Sequence, residues 1–227
     1  IAASFALGRV TAIIDFVERV LDVLGEPAAG LTGRSEQQLR ALFRGFKYRF
    51  FSEDDIARFF LGLRRLYLEY GSIENCFNSA AGGEACLYAG LRQIAAAVNA
   101  GHETGSPGCK EGVRNVVSSP EQGSACKRLN LFLRWVARKD EIDPGGWSLG
   151  TERLVIPLDT HVMRVSSFLG LTARRTADFK TAAEITGGLK LFDKEDPVRY
   201  DFSMSRIGIH PGLSYAELEK EILVQEF

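Results

Sequence analysis

The sequence predicts an all-α protein of roughly ten helices. Three observations carry that expectation. Apolar side chains recur at three- and four-residue spacing through nearly every periodic segment. Most of those segments open at Ser, Asp or Pro and close near Gly or Pro, the residues that start and stop helices. No apolar–polar alternation lasts long enough to build a sheet.

In chain order, residues 3–24 place Phe5, Ile13, Phe16, Val17, Val20 and Leu24 on one face before Gly25, Glu26 and Pro27 end the run. Ser35 to Arg44 is a second, shorter helix. Ser52 with Asp55 has the form of a capping box, Asp standing where Glu is usual. It opens a helix through Tyr70 whose inward residues are Ile56, Phe59, Phe60, Leu63, Leu66 and Tyr67. Ser72 to Ser79 is short, and "AAGGE" separates it from an Ala-rich helix at 84–100. "GHETGSPGC" (101–109) is the clearest loop and the expected boundary between two helical lobes, about 1–105 and 106–227, of one domain with a cleft between them. A helix from Lys110 to Val117, a turn at "SSPEQGSA" and an amphipathic helix from Ser124 to Lys139 form a helix–hairpin–helix unit at 110–139. "DEIDPGGWSLG" (140–150) is a further loop. Helices follow near 160–169, 176–191, 196–207 and 214–226, and Asp196 caps the third of these with Pro197 at its first position.

The 227 residues, 45% of them apolar, suffice for one large domain or two small lobes with a proper core. Charged residues at 25% describe an ordinary solvated surface. No apolar run reaches the roughly 18 residues of a membrane span, so no membrane partner is expected. The sequence opens on "IAASFALGRV", with no Met and without the charged start of a signal peptide. It is expected to begin inside an element, with an N-terminal piece preceding it. Cys76, Cys86, Cys109 and Cys126 include no C-x-x-C pair. They are expected as reduced thiols of a cytoplasmic protein. With three scattered histidines they supply no metal site.

The net charge of −1 hides an uneven distribution. Residues 1–109 carry 11 basic and 12 acidic side chains, and residues 140–227 carry 10 and 15. Residues 110–139 carry 7 basic (Lys110, Arg114, Lys127, Arg128, Arg134, Arg138, Lys139) against Glu111 and Glu121, a local charge of +5. Such a stripe is the footprint that phosphate contacts require. A solvated helix face explains the charge equally well.

Two stretches carry the chemistry. Gly123 and Ser124 stand at the expected N-terminus of the hairpin's second helix, whose free amides and positive dipole end suit a phosphate. Lys127 and Arg128 fall in or near its first turn, where a cation is electrostatically disfavoured. That placement makes sense where a lysine is to act as a neutral amine nucleophile; a lysine pointing to solvent is the plainer alternative. The second stretch is "LVIPLDTHVMRVSSFLGLT", in which Asp159 sits where an apolar run gives way to a helical pattern. Helix capping is one reading of Asp159.

Residues 124–210, with "SACKRLNLFLRWVARKDEIDPGG", "IPLDTHVMRVSSFLGL" and "DPVRYDFSMSRIGIH", resemble a family of bacterial and archaeal uncharacterised proteins distantly related to the helix–hairpin–helix, GPD-type DNA glycosylases. "IAASFALGR" and "YRFFSEDDIARFFLGLRRLYLEYGS" extend the resemblance over nearly the whole chain. "LDTHVMRV" is similar to the (V)DTH-x-x-R-V segment of endonuclease III-like enzymes, whose Asp is the essential carboxylate. The resemblance implies that Asp159 is catalytic as well as a cap. "SPEQGSACK" departs from the L-P-G-V-G-x-K/R hairpin of most of that superfamily. Asp159 follows Lys127 by 32 residues, a spacing similar to that of archaeal 8-oxoguanine glycosylases. Lys139, 20 residues before Asp159, is the weaker rival for the nucleophile. No cysteine follows Cys126, so the C-terminal iron–sulfur cluster of many endonuclease III-like enzymes is not expected.

The resemblance thus implies base-excision repair: a DNA glycosylase, with or without AP lyase activity, acting on double-stranded DNA with a damaged base such as 8-oxoguanine, in the cytoplasm and on the nucleoid. Lys127 would be the nucleophile and Asp159 the stabiliser of an oxocarbenium-like sugar. Their groups are expected to face one cleft within about 4–6 Å. Gly123, Ser124, Arg128 and Arg164 are candidate DNA contacts, although Arg164 equally suits pairing with an acid. Trp147 and His161 are candidates for the pocket of a flipped base. For Trp147 the alternative is packing of its loop, and for His161 a structural hydrogen bond. Trp135, with Leu131 and Phe132, reads as core. No cofactor is expected beyond a monovalent cation at the hairpin near Ser119 to Gly123, and a monomer is the expected assembly. The competing reading is a non-catalytic helical DNA-binding protein of the same fold.

Overall fold

The computed structural model describes residues 1–80, 87–100, 116–207, 210, 212, 214–216 and 220. Among them the structure is helical throughout, with no strand beyond two isolated bridges, Tyr48 with Phe51 and Lys139 with Pro144. The chain forms two compact units, Ile1–Ser119 and Pro120–Phe227. No described helix is long and apolar enough to cross a membrane.

In the first unit, the single helix expected over 3–24 is two elements. A 3-10 turn at Ala2–Phe5 is separated from α1 (Val10–Leu24) by Gly8, whose φ of 107° no L side chain adopts readily. Phe5 becomes the hub of an aromatic cluster, in ring contact with Phe16, Tyr48, Phe51, Phe59 and Phe60. The Gly25–Pro27 break does more than end α1. Glu26 accepts hydrogen bonds from the Ala28 and Ala29 amides and Pro27 takes the first helical position, so α2 (Pro27–Thr32) begins at once. α3 (Glu36–Leu42) follows a capping box of Ser35 and Gln38.

α4 (Glu53–Tyr70) is the spine of this unit. The Ser52–Asp55 capping box is present, and Gly71 closes the helix in the left-handed region. Ile56, Phe59, Phe60, Leu63 and Leu66 are buried, while Tyr67 is half-buried. α5 (Ile73–Ala80) and α6 (Leu87–Asn99) pack against α4 and against each other. Gly62 makes the α4–α6 approach possible, because a Cβ there would collide with the Val98 carbonyl. Residues 84–86 of the Ala-rich helix, residues 110–115 of the hairpin's first helix, Cys86 and Cys109 lie outside the described residues. Val116 and Val117 are not helical.

In the second unit, a 3-10 turn at Pro120–Gln122 leads into α7 (Lys127–Ala137). α7 is shorter at both ends than the helix expected over 124–139. α8 (Thr160–Phe168) and α9 (Phe179–Leu189) follow, α9 capped by Asp178. The helix expected over 196–207 is a 3-10 turn, Pro197–Tyr200, followed by α10 (Asp201–Arg206). Asp196 makes no capping hydrogen bond; its carboxylate instead accepts from Arg138. α8 and α10 pack together, with Val162, Val165 and Met204 buried. Of the helix expected over 214–226, Tyr215, Ala216 and Lys220 are described as helical.

Candidate active site

Local geometry fixes where α7 begins. Gly123 turns the chain at a φ of 73°, and the Ser124 hydroxyl accepts a hydrogen bond from the Cys126 amide. Cys126 then takes a left-handed backbone, φ 51°, a conformation that costs a non-glycine residue about 1 kcal/mol or more. It cannot continue a right-handed helix backwards, so Lys127 is the first helical residue. The buried Asn130 side chain donates to the Ala125 carbonyl and holds this turn from inside. Gly123 and Ser124 therefore lie outside the helix as parts of its entry turn, correcting the expectation that they form its N-terminus. Burial pushes the Cys126 thiol up to about 11, which leaves it a poor nucleophile beside Lys127.

Asp159 is set from the other side. Leu154, Ile156 and Leu158 bury alternate side chains of the approach, and the Ile156 amide donates to Thr186 of α9. Asp159 is the N-cap of α8, as the sequence suggested: its Oδ1 accepts from the His161 and Val162 amides at 2.9 and 3.0 Å. That leaves Oδ2 toward Lys127, whose Nζ lies 3.6 Å away. The lysine side chain is 34% exposed and the aspartate 23%, so both reach solvent and neither is walled in. Thirty-two residues apart in the chain, an amine and a carboxylate meet at ion-pair distance.

The remaining candidates are placed differently. His161 Nδ1 and the Tyr215 hydroxyl share a hydrogen bond of 2.6 Å, so His161 takes the structural bond expected as its alternative. Arg164 lies over the Tyr215 ring at 4.0 Å and the Phe168 ring at 5.5 Å, a cation–π arrangement. Trp147 meets Phe132 edge-on at 5.3 Å, and its amide donates to the Val136 carbonyl. It packs its loop onto α7. Leu131, Phe132 and Trp135 are half-buried; the buried face of α7 is instead Leu129, Asn130, Leu133 and Arg134. Arg128 is half-buried, and Lys139 is exposed at the bridge with Pro144.

Sequence reasoning missed the largest electrostatic feature of this unit. Two of the seven cations in the basic stripe are buried in ion pairs. Arg134 donates to Asp143 through Nε at 3.1 Å and to Asp201 through Nη1 at 2.5 Å. Arg138 pairs with Asp143, with Asp196 at 2.9 Å and with Asp140 at 2.9 Å. Asp140 in turn accepts from the Ile142 and Asp143 amides, which rigidifies the loop. The signal was present as arginines at i and i+4 on one helix, followed by "DEID" and "DPVRYD". The stripe is thus partly neutralised from within.

Among the described residues, no group of three His, Cys, Asp or Glu side chains is arranged to hold a metal. Cys76 and Cys126 are buried free thiols. What the site offers is an amine able to act as a base or nucleophile when it loses its proton, and a carboxylate fixed by amides that can stabilise a developing cation. No curated protein and no solved structure matches the chain. The family described as a protein of unknown function, DUF2400, matches residues 1–210, and the chain belongs to it.

Proposed function

We propose that the protein is a DNA glycosylase of base-excision repair that uses Lys127 as nucleophile and Asp159 as electrostatic stabiliser. The observation that carries this reading is the 3.6 Å approach of Lys127 Nζ to an Asp159 carboxylate already held by two amides. Resemblance of "LDTHVMRV" to the active-site segment of the endonuclease III-like enzymes supports it. The target nucleotide leaves the helix stack to reach the pair. The neutral amine attacks the anomeric carbon as the N-glycosidic bond breaks, and the bonding pair departs with the base, which takes up a proton. Asp159 stabilises the positive sugar and accepts the proton the amine sheds. Ring opening then gives an imine between Lys127 and the sugar, from which elimination can cut the strand. An oxidised purine such as 8-oxoguanine is the proposed lesion. With Arg134 and Arg138 committed to internal acids, DNA contact falls to the other cations, Arg128 and Lys139 among them.

Borohydride trapping tests the reading. The protein is mixed with duplex DNA carrying 8-oxoguanine or an abasic site, and any imine is reduced to a stable secondary amine. A covalent adduct that Lys127→Gln abolishes is the expected result. Duplex binding without adduct or base release would instead identify a non-catalytic DNA-binding protein.

A further inference from the structure

Two local costs flank Lys127. On one side, Cys126 holds a left-handed backbone, φ 51° and ψ 36°, a region that a Cβ disfavours. On the other, Asn130 is 1% exposed and uses one end of its amide: Nδ2 donates to the Ala125 carbonyl at 3.0 Å, while Oδ1 finds no hydrogen-bond partner among the described residues. Glycine would avoid the first cost, and a buried apolar side chain of similar size the second. Neither residue is the most stable choice for its place, and both bear on the same lysine. Local strain of this kind gathers where a structure must hold a reacting group.

We propose that Asn130 is a positioning residue for the Lys127 amine, acting by locking Cys126 in its left-handed turn. The peptide between Ala125 and Cys126 is held at both edges. Its carbonyl accepts from Asn130 Nδ2, and its N–H donates to Ser124 Oγ at 3.0 Å. The next peptide, between Cys126 and Lys127, is held through its carbonyl, which accepts from the Asn130 amide at 2.9 Å. These two planes lie on either side of the Cys126 Cα, so fixing both fixes its φ and ψ. One residue thus supplies a bond to each plane. The first residue of a helix frays unless the chain before it is fixed, and in α7 that residue is Lys127. With the turn locked, the lysine side chain leaves from a fixed Cα, and its Nζ stands 3.6 Å from Asp159 Oδ2. With the turn free, Cys126 relaxes to a right-handed or extended backbone, the first turn of α7 loosens and the amine leaves the carboxylate. Asn130 is buried behind the turn and acts through the Cys126 backbone, not on the sugar.

The purpose of the lock rests on the glycosylase reading, but its test needs no DNA. A water-soluble carbodiimide activates an accessible carboxylate, which an amine at ion-pair distance then attacks to form an amide. In the wild type a Lys127–Asp159 cross-link is the expected product, read by mass spectrometry of the digested protein. A wild type that forms none overturns the proposal. Asn130→Ala, compared at equal circular dichroism, is expected to lower the yield about three- to tenfold, as a left-handed non-glycine residue loses its support. Adding Cys126→Gly is expected to restore it to within about twofold of wild type, because glycine takes that backbone unaided. Asn130 acting only as core filling would show no such rescue. An undiminished yield in Asn130→Ala overturns the proposal, and so does a double variant that recovers nothing. If Asn130→Ala does not fold, Cys126→Val tests the same lock with Asn130 in place, since a β-branched residue resists positive φ. Loss of the cross-link is then expected, and full yield overturns the proposal. A lost and rescued cross-link in a protein that borohydride never traps on DNA keeps the positioning role and removes the glycosylase. Trapped adduct with a cross-link indifferent to Asn130 does the reverse.

Discussion

The two ends of α7 use the same raw materials, a cation facing a carboxylate, to opposite effect. Toward its C-terminal end, Arg134 of the helix and Arg138, the extended residue that follows it, are buried and share Asp143, with Asp196 and Asp201 as further partners. At its first residue, Lys127 pairs with Asp159 at 3.6 Å and stays 34% exposed. The residue types follow the environments. A guanidinium is always charged and its fork meets several oxygens at once, so it suits a closed array; an ammonium can lose its proton and becomes an amine. A cation at the start of a helix also lies against the dipole, whereas cations farther along do not. The lesson is that one end is built to keep its charge and the other to be able to give it up.

The sharpest way to break this comparison is at Asp143. Its carboxylate is fully buried and ties the two arginines together. Asp143→Ala should cost about 3–5 kcal/mol, because it strips a shared partner from two buried guanidiniums. Lys127→Gln should move stability by about 1 kcal/mol or less, since its pair is partly exposed and screened. Urea denaturation of the two variants reads the contrast directly. Equal losses would mean that the two ends are not different in kind.

The second prediction lies between the ends. The Asp201 carboxyl is raised in the folded protein to about 6 from an ordinary 3.8. Between those values the folded state holds a proton that the unfolded chain has released. The stability contributed by Asp201 is therefore fully present below about pH 4 and lost as the pH rises to about 6, by about 3 kcal/mol from the size of the shift. Asp201→Asn removes this descending component. Chemical denaturation at intervals from pH 4 to 6.5 should show a flatter profile for the variant; parallel profiles would mean that the acid titrates normally.

What was legible in the sequence divides along the same line. Asp159 as a cap and the Ser52–Asp55 box were readable because a capping interaction is local, its partners two or three residues away. The pairing of Lys127 with Asp159 was not readable from pattern; its spacing matched through a resemblance. The burial of Arg134 and Arg138 escaped because charge counting sees signs along the chain, and their partners lie as far off as Asp201, 67 residues away. The start of α7 was misplaced for a different reason. Ser124 has the chemistry of a cap, but the left-handed backbone of Cys126 moves the first turn to Lys127. Trp147 illustrates a third limit, since an aromatic in a glycine-rich loop has no periodicity to say whether it packs or projects, and here it packs on Phe132.

The smallest effect is the one that separates the two duties of Asp159. As a cap, its Oδ1 accepts two amides of α8; as a charge, its Oδ2 faces Lys127. Asparagine caps nearly as well as aspartate but carries no charge, and alanine does neither. Asp159→Ala should therefore lose about 1 kcal/mol of stability, and Asp159→Asn no more than about half of that. Both should lose the trapped adduct alike if the charge is what serves the chemistry. Denaturation midpoints and borohydride yields measured on the same two proteins give four numbers. A midpoint that falls equally in both variants would show that the ion pair with Lys127, and not the cap, holds α8 in place. Adduct retained in Asp159→Asn but lost in Asp159→Ala would show that this carboxylate acts by fixing the helix rather than by its charge.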